Sequence, residues 1–209
     1  SLIIGPVEDK NHKGIGAAAM GYGHTIISSS PIDVNLAKQI NILLENLGVP
    51  SDRVIIDPTT GGLGYGLEYS YSVMERIRMA ALTQGDDKLQ LPIINNVANE
   101  VWKCKEAKQP ADDAPVLGDP ERRAILMEAT AAVSYLTAGS NILVMRHPEA
   151  IRMVKSYIDL IADGGSAAGC VVAVHRGDPH RRRHPPPFPR LPAAPARSVC
   201  WHACPAAWE

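Results

Sequence analysis

The sequence predicts an α/β protein whose strands form a parallel sheet. Five short, mostly apolar segments alternate with segments of helical periodicity, a pattern typical of repeated strand–helix units. The predicted strands are Leu2–Gly5, Thr25–Ser29, Arg53–Asp57, Leu91–Asn95 and Asn141–Arg146. Short apolar runs of this kind suit strands that are buried on both faces. Five units cannot close an eight-stranded barrel of about 250 residues, so periodicity leaves an open sheet and part of a barrel as alternatives.

Helical periodicity and end signals define the segments between these strands. The clearest helix is predicted at Asp33–Leu47, with Ser30 as its cap, Pro31 at its start and Gly48 at its end. Three further helices are predicted at Glu68–Leu82, from Asp119-Pro120 to Gly139, and from His147-Pro148 to Gly164. Each repeats apolar residues at helical spacing, so each can cover one face of a sheet.

Composition argues against several classes of protein. The 209 residues are 45% hydrophobic, which is enough for a sizeable core, and the net charge of −1 argues against nucleic acid bound through bulk charge. No run approaches the roughly 18 apolar residues of a membrane span, so no membrane partner is expected. The sequence begins at Ser1 with neither a methionine nor a signal peptide. We therefore expect a cytoplasmic protein whose natural start lies further upstream.

The cysteines favour a reduced protein without a metal centre. No C-x-x-C pair occurs among Cys104, Cys170, Cys200 and Cys204, so no ligand set for an iron–sulfur cluster is present. The stretch Cys200–Cys204 contains a histidine, but it lacks a second pair of ligands. The acidic stretch Glu8–Asn11 is more typical of a solvated helix start than of a site for a hard cation. We predict no metal site.

The chain divides into two regions of different composition. Residues 1–167 have the patterns of a folded domain, whereas residues 168–209 are rich in proline, alanine and arginine and have no apolar period. Two interpretations of the tail are a basic, proline-rich interaction segment and a shifted reading frame in GC-rich DNA. The abrupt change after Gly164 favours the second. In either case we expect the tail to be disordered.

The loop Asp57–Gly66 is the most informative candidate site. It follows the third predicted strand and holds four glycines within six positions, which would let the backbone approach a ligand closely. It matches neither a phosphate-binding loop nor a dinucleotide fingerprint, because the required lysine and glycine spacings are absent. The alternative is a tight strand–helix turn without a ligand. The candidate residues of this loop are Asp57, Thr59, Thr60, Gly61, Gly64 and Tyr65.

Two further pairs of polar residues follow predicted strands. Asn95 and Asn96 could offer amide hydrogen bonds to a bound ring, or could close a strand as turn residues. Arg146 and His147 could bind an anion or carry a proton, or could belong to a helix start with Arg146 paired to a carboxylate. Because the carboxyl ends of parallel strands share one edge of a sheet, we expect both pairs to lie at the same end as the loop.

Five segments together resemble one known family, the small (delta) subunit of the corrinoid iron–sulfur protein of acetyl-CoA synthase/CO dehydrogenase systems. They are Ala19–His24, Ser30–Asn35, Asp57–Gly66, Tyr71–Arg78 and Val144–Ala150. Their order and spacing are similar to those of the family over about residues 1–167. The resemblance implies the second half of a (β/α)8 TIM barrel, with about five strand–helix units here and the preceding units absent. Since five strands leave two sheet edges unpaired, we expect such a part not to fold stably alone.

The resemblance also implies a role in methyl transfer. In the family, a large (gamma) subunit carries a [4Fe–4S] cluster and a corrinoid, and the corrinoid lies between the subunits against the carboxyl end of the small-subunit barrel. A tetrahydrofolate- or tetrahydropterin-dependent methyltransferase and acetyl-CoA synthase are the transient partners, in Wood–Ljungdahl acetyl-CoA synthesis or in cleavage. The corrinoid supplies the chemistry, so the small subunit would be a non-catalytic subunit that positions it and excludes water. The ten candidate residues named above would then contact the corrinoid.

Two alternatives to this role come from the residues themselves. A pterin-dependent methyltransferase on a similar barrel would use Asp57 and Asn95 to bind the pterin ring. A purely structural subunit would shape a complex without touching a cofactor. The resemblance at Met74–Arg78 and Arg146–Ala150 favours the corrinoid protein over the methyltransferase.

Overall fold

The computed structural model describes residues 1–64 and 66–162, and the backbone of residues 171–174. Within these ranges the chain forms six strands and seven α-helices in an α/β arrangement. The strands are β1 (Ile3–Val7), β2 (Thr25–Ser29), β3 (Val54–Asp57), β4 (Ile94–Asn95), β5 (Ile142–Met145) and β6 (Val171–Val174). The helices are α1 (His12–Tyr22), α2 (Val34–Leu47), α3 (Leu67–Thr83), α4 (Val97–Val101), α5 (Lys105–Lys108), α6 (Pro120–Thr137) and α7 (Pro148–Ala162).

All described strands pair in parallel and in the order of the chain. β1, β2 and β3 form one three-stranded sheet, and β4, β5 and β6 form a second. The two are joined by a parallel bridge between Ile56 and Ile93 and by a 2.8 Å hydrogen bond from the Ile56 N–H to the Pro92 carbonyl. A doubly wound sheet reverses its strand order at a switch point. The described strands show no such reversal, an order that is compatible with part of a barrel.

The helices bury one face of this sheet in two adjoining clusters. Ile26 of β2 packs with Ile40 and Leu44 of α2, and Ile56 of β3 packs with residues of α3 and α6. Because strand side chains alternate between faces, the helix-facing positions of each strand are every second residue. The apolar stripes of α2, α3, α6 and α7 therefore cover the strands that precede them, as their periodicity predicts.

Helix capping differs from the sequence prediction in one place. The cap of α2 is Asp33, whose Oδ1 accepts hydrogen bonds from the N–H groups of Asn35 (2.8 Å) and Leu36 (3.1 Å). Ser30 was the wrong choice: it is fully buried, and its hydroxyl has no hydrogen-bond partner among the described residues. A carboxylate two residues before Asn35 reaches both free N–H groups, which the more distant serine cannot. At α6 the predicted start at Asp119-Pro120 is confirmed, and Asp119 caps the helix by accepting from the Arg122 N–H at 2.8 Å.

Helix α1 was indicated only by the helix start at Glu8–Asn11, and its extent was not predicted because glycine and alanine hide its pattern. Its sequence holds Gly14, Gly16 and Gly21, which lower helix propensity and leave no clear apolar stripe. The structure shows what Gly16 does: a Cβ atom there would lie 2.5 Å from Leu47 Cδ2. The glycine lets α1 pack closely against α2, a requirement that becomes visible only when both helices are in place.

The short elements after β4 and the strand β6 were also not predicted. Helices α4 and α5 have five and four residues, too short for a periodic pattern to emerge. Strand β6 lies inside the segment 168–209 that was expected to be a disordered tail, and it pairs with β5 from Ile142↔Val171 to Met145↔Val174. The other residues of that segment lie outside the described part of the chain. No helix of the described residues is long and apolar enough to cross a membrane.

Arg78 of α3 links the amino-terminal ends of β4 and β5. Its guanidinium donates to the carbonyl oxygens of Gly139 (2.6 Å) and Leu91 (3.2 Å) and to the side chain of Asn141. Gly139 has φ +104°, and a Cβ atom there would lie 2.8 Å from Arg78 Cγ, so the position requires glycine. Burial lowers the pKa of Arg78. This contact is at the opposite end of the sheet from the candidate site and serves to hold the units together.

Candidate functional site

The polar residues predicted from the sequence gather at the carboxyl end of the parallel strands. Asp57 ends β3, Asn95 ends β4, and Arg146 follows the last residue of β5. Since β3, β4 and β5 run in the same direction, these positions lie at one end of the sheet, as expected. Tyr65 lies outside the described residues, so its part in the site stays a prediction.

The loop after β3 begins with a strained residue held by two hydrogen bonds. Thr59 has φ +68°, a left-handed conformation that a β-branched residue rarely adopts. Its N–H donates to Asp57 Oδ1 at 2.9 Å, and its carbonyl accepts from the Ser70 hydroxyl at 3.2 Å. The strand end and the first turn of α3 therefore keep this backbone in a shape that it would not take by itself.

Asp57 carries a half-buried carboxyl group whose pKa is raised. Burial raises the pKa of Asp57, the N–H of Thr59 opposes that rise, and the carboxylate of Glu100 adds to it. Its backbone carbonyl also accepts from the Ser30 N–H at 2.9 Å, which ties this loop to the one after β2. The result is a carboxyl at the strand end that favours the neutral form more than a solvated aspartate does.

Close backbone contacts explain two of the loop glycines. A Cβ atom at Gly62 would lie 2.3 Å from the Gly66 carbonyl oxygen, so the loop can fold back on itself only with glycine there. Gly66 has φ +152°, which strains any residue with a side chain. At Gly61, in contrast, a Cβ atom would meet only Thr59 Cγ2 at 3.5 Å, an ordinary contact. The packing of the loop therefore does not require glycine at position 61.

Asn95 and Asn96 connect this loop to β4 but face different surroundings. Asn95 is fully buried against α3, with its amide nitrogen 3.5 Å from Met74 Sδ and 3.5 Å from Thr60 Oγ1. Thr60 is only 3% exposed, and its hydroxyl oxygen accepts from the Asn96 N–H at 3.0 Å. The side chain of Asn96 caps α4 by accepting from the Asn99 N–H. These hydrogen bonds thus join the loop after β3 to the end of β4 through Thr60, Asn95 and Asn96.

Arg146 and His147 rest on a buried carboxylate that sequence analysis missed. Glu128 of α6 is fully buried, and it accepts hydrogen bonds from the backbone N–H groups of Arg146 and His147. It also accepts from the indole N–H of Trp102 at 2.9 Å. The expected pairing of Arg146 with a nearby carboxylate therefore occurs through its backbone and not through its guanidinium.

Trp102 organises the side chains above Glu128. The guanidinium carbon of Arg146 lies 4.9 Å from the centroid of the indole ring, a cation–π distance. The imidazole of His147 stacks on the same indole, with ring centroids 6.1 Å apart and planes inclined by 21°. His147 Nδ1 accepts from the Glu149 N–H at 3.1 Å, which leaves its Nε2 as the protonated nitrogen of the neutral ring.

A sequence signal for Glu128 does exist. It stands four residues after Ala124, four before Ala132 and seven before Tyr135, all of them buried positions of α6. A glutamate on the buried stripe of a helix needs hydrogen-bond donors, so the pattern marks it as a residue with a specific role. No comparable pattern identifies Trp102, which lies at the end of the short helix α4.

The described part of the site contains hydrogen-bonding groups but no metal ligand set. Among the described residues, no group of three histidine, cysteine, aspartate or glutamate side chains could hold a metal ion. Cys104 is buried and donates to the Leu63 carbonyl at 3.3 Å, and burial raises the pKa of its thiol. The arrangement can hold a polar ligand or a protein surface by hydrogen bonds, a fixed cation and an aromatic ring.

Comparison with known proteins identifies relatives over most of the described chain. Residues 2–158 match the family described as CO dehydrogenase/acetyl-CoA synthase delta subunit. The acetyl-CoA decarbonylase/synthase complex subunit delta of Methanopyrus kandleri is 38% identical over 157 residues, which cover 75% of this chain and 38% of that protein. Subunit delta 2 of the same complex from Methanosarcina acetivorans is 37% identical over 149 residues, covering 69% of this chain and 34% of that protein.

A third relative extends the match slightly. The acetyl-CoA decarbonylase/synthase complex subunit delta of Archaeoglobus fulgidus is 34% identical over 167 residues, or 78% of this chain and 36% of that protein. The chain thus spans little more than a third of the length of the curated relatives it matches. With the family match covering residues 2–158, the chain belongs to the CO dehydrogenase/acetyl-CoA synthase delta subunit family.

Proposed function

We propose that the chain forms part of the corrinoid-facing surface of a methyl carrier, as the small subunit beside a large subunit that holds a [4Fe–4S] cluster and a corrinoid. The carrier passes a methyl group between a tetrahydrofolate- or tetrahydropterin-dependent methyltransferase and acetyl-CoA synthase, in the cytoplasm. Membership of the delta subunit family supports a role in such a complex. The observation that carries the proposal is the polar, strained loop after β3 at the carboxyl end of the sheet.

The groups at this end fit a corrinoid edge. A corrin ring carries amide side chains, which need both donors and acceptors of hydrogen bonds. The carboxyl of Asp57, the hydroxyl of the half-buried Thr59 and the backbone of Gly61 offer such groups, and Gly64 is exposed to solvent. The corrinoid, when bound, supplies the methyl-transfer chemistry. The residues of this chain orient it and exclude water.

Burial sorts the nine candidate residues that the structure describes into two sets. The partly accessible set, which can touch a ligand directly, comprises Asp57, Thr59, Gly61, Gly64, Asn96, Arg146 and His147. Thr60 and Asn95 are buried, and they support the loop from the helix side. This distribution argues against the pterin alternative, because that hypothesis needs the Asn95 amide to reach a ligand.

We further propose that the sheet is part of a TIM barrel. The strand order without reversal supports this, and so does the face of the sheet that no described helix covers. On that face Ile55 of β3 and Ile94 of β4 are only 7% and 8% exposed, whereas Ile3 of β1 is 57% exposed. Burial of the middle strands on a face without a described helix is what a sheet curved toward that face would produce.

Replacing Gly61 tests the proposed contact with the corrinoid. Gly61→Val adds bulk where the loop itself has room, so the fold is retained and only the approach of a ligand is blocked. We expect the complex reconstituted with the large subunit to retain less cobalt per subunit pair, with a weaker corrinoid absorption spectrum. The control is Gly21→Val, because a Cβ atom at Gly21 meets nothing within 4 Å and the residue precedes β2 at the other end of the sheet. Equal cobalt content in both variants and the unchanged chain would count against the proposal.

A further inference from the structure

Arg146 presents a guanidinium group at the carboxyl end of the sheet, and none of the described residues is its acidic partner. Its side chain is exposed, and no carboxylate of residues 1–64 or 66–162 forms an ion pair with it. The acidic groups nearby have other contacts. Glu128 accepts from backbone and indole N–H groups, Glu149 pairs with Arg152, and Glu121 lies 3.8 Å from His147 Nε2.

Two contacts nevertheless restrict the position of the guanidinium, one to the group itself and one to the backbone of Arg146. The guanidinium carbon lies 4.9 Å above the indole of Trp102, and the Arg146 backbone N–H is bound by Glu128. Glu128 also binds the indole N–H of Trp102. This one buried carboxylate therefore positions both the backbone of Arg146 and the indole ring beneath the Arg146 side chain. A cation held in this way loses less conformational entropy on binding than a free arginine does.

Exposed apolar residues precede the helix that carries Glu128. The turn Pro115–Leu117 leads into α6, and its Val116 and Leu117 are 96% and 46% exposed. Arg123 holds the turn to the start of α6 by donating to the Gly118 carbonyl at 2.7 Å. The first turn of α6 also contains Glu121, which approaches His147. Arginine and tryptophan are both enriched in the energetically dominant part of protein interfaces.

We propose that Arg146 anchors a protein–protein interface and pairs with a carboxylate of the large subunit. This inference rests on the proposed function, which supplies the partner. A preorganised cation with no ion-pair partner among the described residues is complementary to an acidic group, and the indole beneath it suits a protein surface that excludes water from the pair. Trp102 and Glu128 are positioning residues: they act through Arg146 and do not touch the partner.

The test uses a full-length subunit of the family that contains these residues, because this part is not expected to fold stably alone; it measures binding to the large subunit, in the absence of corrinoid and at several salt concentrations. Arg146→Gln should weaken binding by about 30-fold or more, the loss expected of an interface hot spot, and should flatten the dependence of affinity on salt. The matched control is Arg122→Gln, which removes an exposed cation of α6 that has no aromatic ring beneath it. We expect its affinity to stay within about twofold of the unchanged chain.

A double substitution tests the positioning role of Trp102. Trp102→Phe removes the indole N–H and weakens the cation–π contact, so it should reduce affinity by itself. It should cause no further loss when Arg146 is already glutamine, since its effect passes through that side chain. Full additivity of the two losses would overturn the positioning role, and Arg146→Gln binding as tightly as the unchanged chain would overturn the anchor. If the unchanged chain fails to bind the large subunit at all, the proposed function fails and this inference with it.

Discussion

The buried carboxylate of Glu128 should control the stability of the turn between β5 and α7. It accepts three hydrogen bonds, from Trp102 Nε1 and from the backbone N–H groups of Arg146 and His147. Glu128→Ala leaves these donors without an acceptor and opens a cavity. Each unsatisfied buried group costs about 1–3 kcal/mol, and water that enters the cavity relieves part of that cost. We therefore expect the free energy of opening this turn to fall by about 3–5 kcal/mol.

Glutamine at the same position should cost less. Its carbonyl oxygen can still accept from Trp102 and His147, but its amide group then faces the Arg146 N–H, so one charge-assisted hydrogen bond becomes a clash of two donors. The expected loss is about 1.5–3 kcal/mol, or roughly a 10- to 100-fold increase in the exchange rate of that amide. The order of the two variants follows from the geometry of the carboxylate alone.

Hydrogen–deuterium exchange of the Arg146 and His147 amides measures this local stability in the reconstituted complex. The control is Glu121→Gln, because that carboxylate is 76% exposed and lies 3.8 Å from His147 Nε2. An exposed pair of this kind contributes about 0–1 kcal/mol, so exchange should change little. If Glu128→Ala leaves both amides as protected as in the unchanged chain, the carboxylate does not hold the turn and the argument is wrong.

The remaining predictions concern Arg78 and Asp57. Arg78→Met removes the donors to the carbonyls of Gly139 and Leu91, so we expect folding stability to fall by about 2–4 kcal/mol and the Asn141 and Ile142 amides to exchange faster. Arg78→Lys keeps a donor and should retain part of this stability. For Asp57, the raised pKa means that the folded state binds a proton more tightly than the unfolded state. Folding stability should therefore fall as pH rises from the ordinary value of 3.8 through the higher pKa of the folded state. Asp57→Asn keeps an acceptor for the Thr59 N–H but cannot titrate, so its stability should lack that fall.

Each of these two predictions has an outcome that contradicts it. Equal amide exchange in Arg78→Met and the unchanged chain would show that Arg78 does not hold β4 and β5 together. For Asp57, the direct measurement is a pH titration of its side-chain carbonyl carbon by NMR. A midpoint at or below the ordinary value would mean that burial does not dominate its charge.

Much of the fold could be predicted because local pattern and tertiary packing agree there. The strand at Thr25–Ser29 has the predicted bounds, and α2 and α6 begin within one residue of the expected start. Their apolar stripes and proline or aspartate starts act within a few residues of chain. The extent of helix α1 was missed because its stability comes from contact with α2 through Gly16, which no property of the α1 sequence reveals.

For the candidate site, too, the sequence predicts some properties of the residues and not others. The position of Asp57, Asn95 and Arg146 at one end of the sheet follows from their place after parallel strands. Their accessibility does not follow, because it depends on which face of each strand meets a helix. Asn95 and Thr60 were predicted as ligand contacts, and the structure shows them packed against α3 and the end of β4.

The sequence by itself determined the class of fold, the repeated strand–helix order and the end of the sheet that carries the polar residues. These features depend on periodicity and on chain direction, both of which are local. Only the tertiary structure decided that Glu128, Trp102 and Arg146 form one unit. These residues come from α6, the end of α4 and the end of β5, as many as 44 positions apart in the printed chain. Hydrogen bonds and cation–π contacts act over a few ångströms of space, so such a unit exists only after the helices have packed on the sheet.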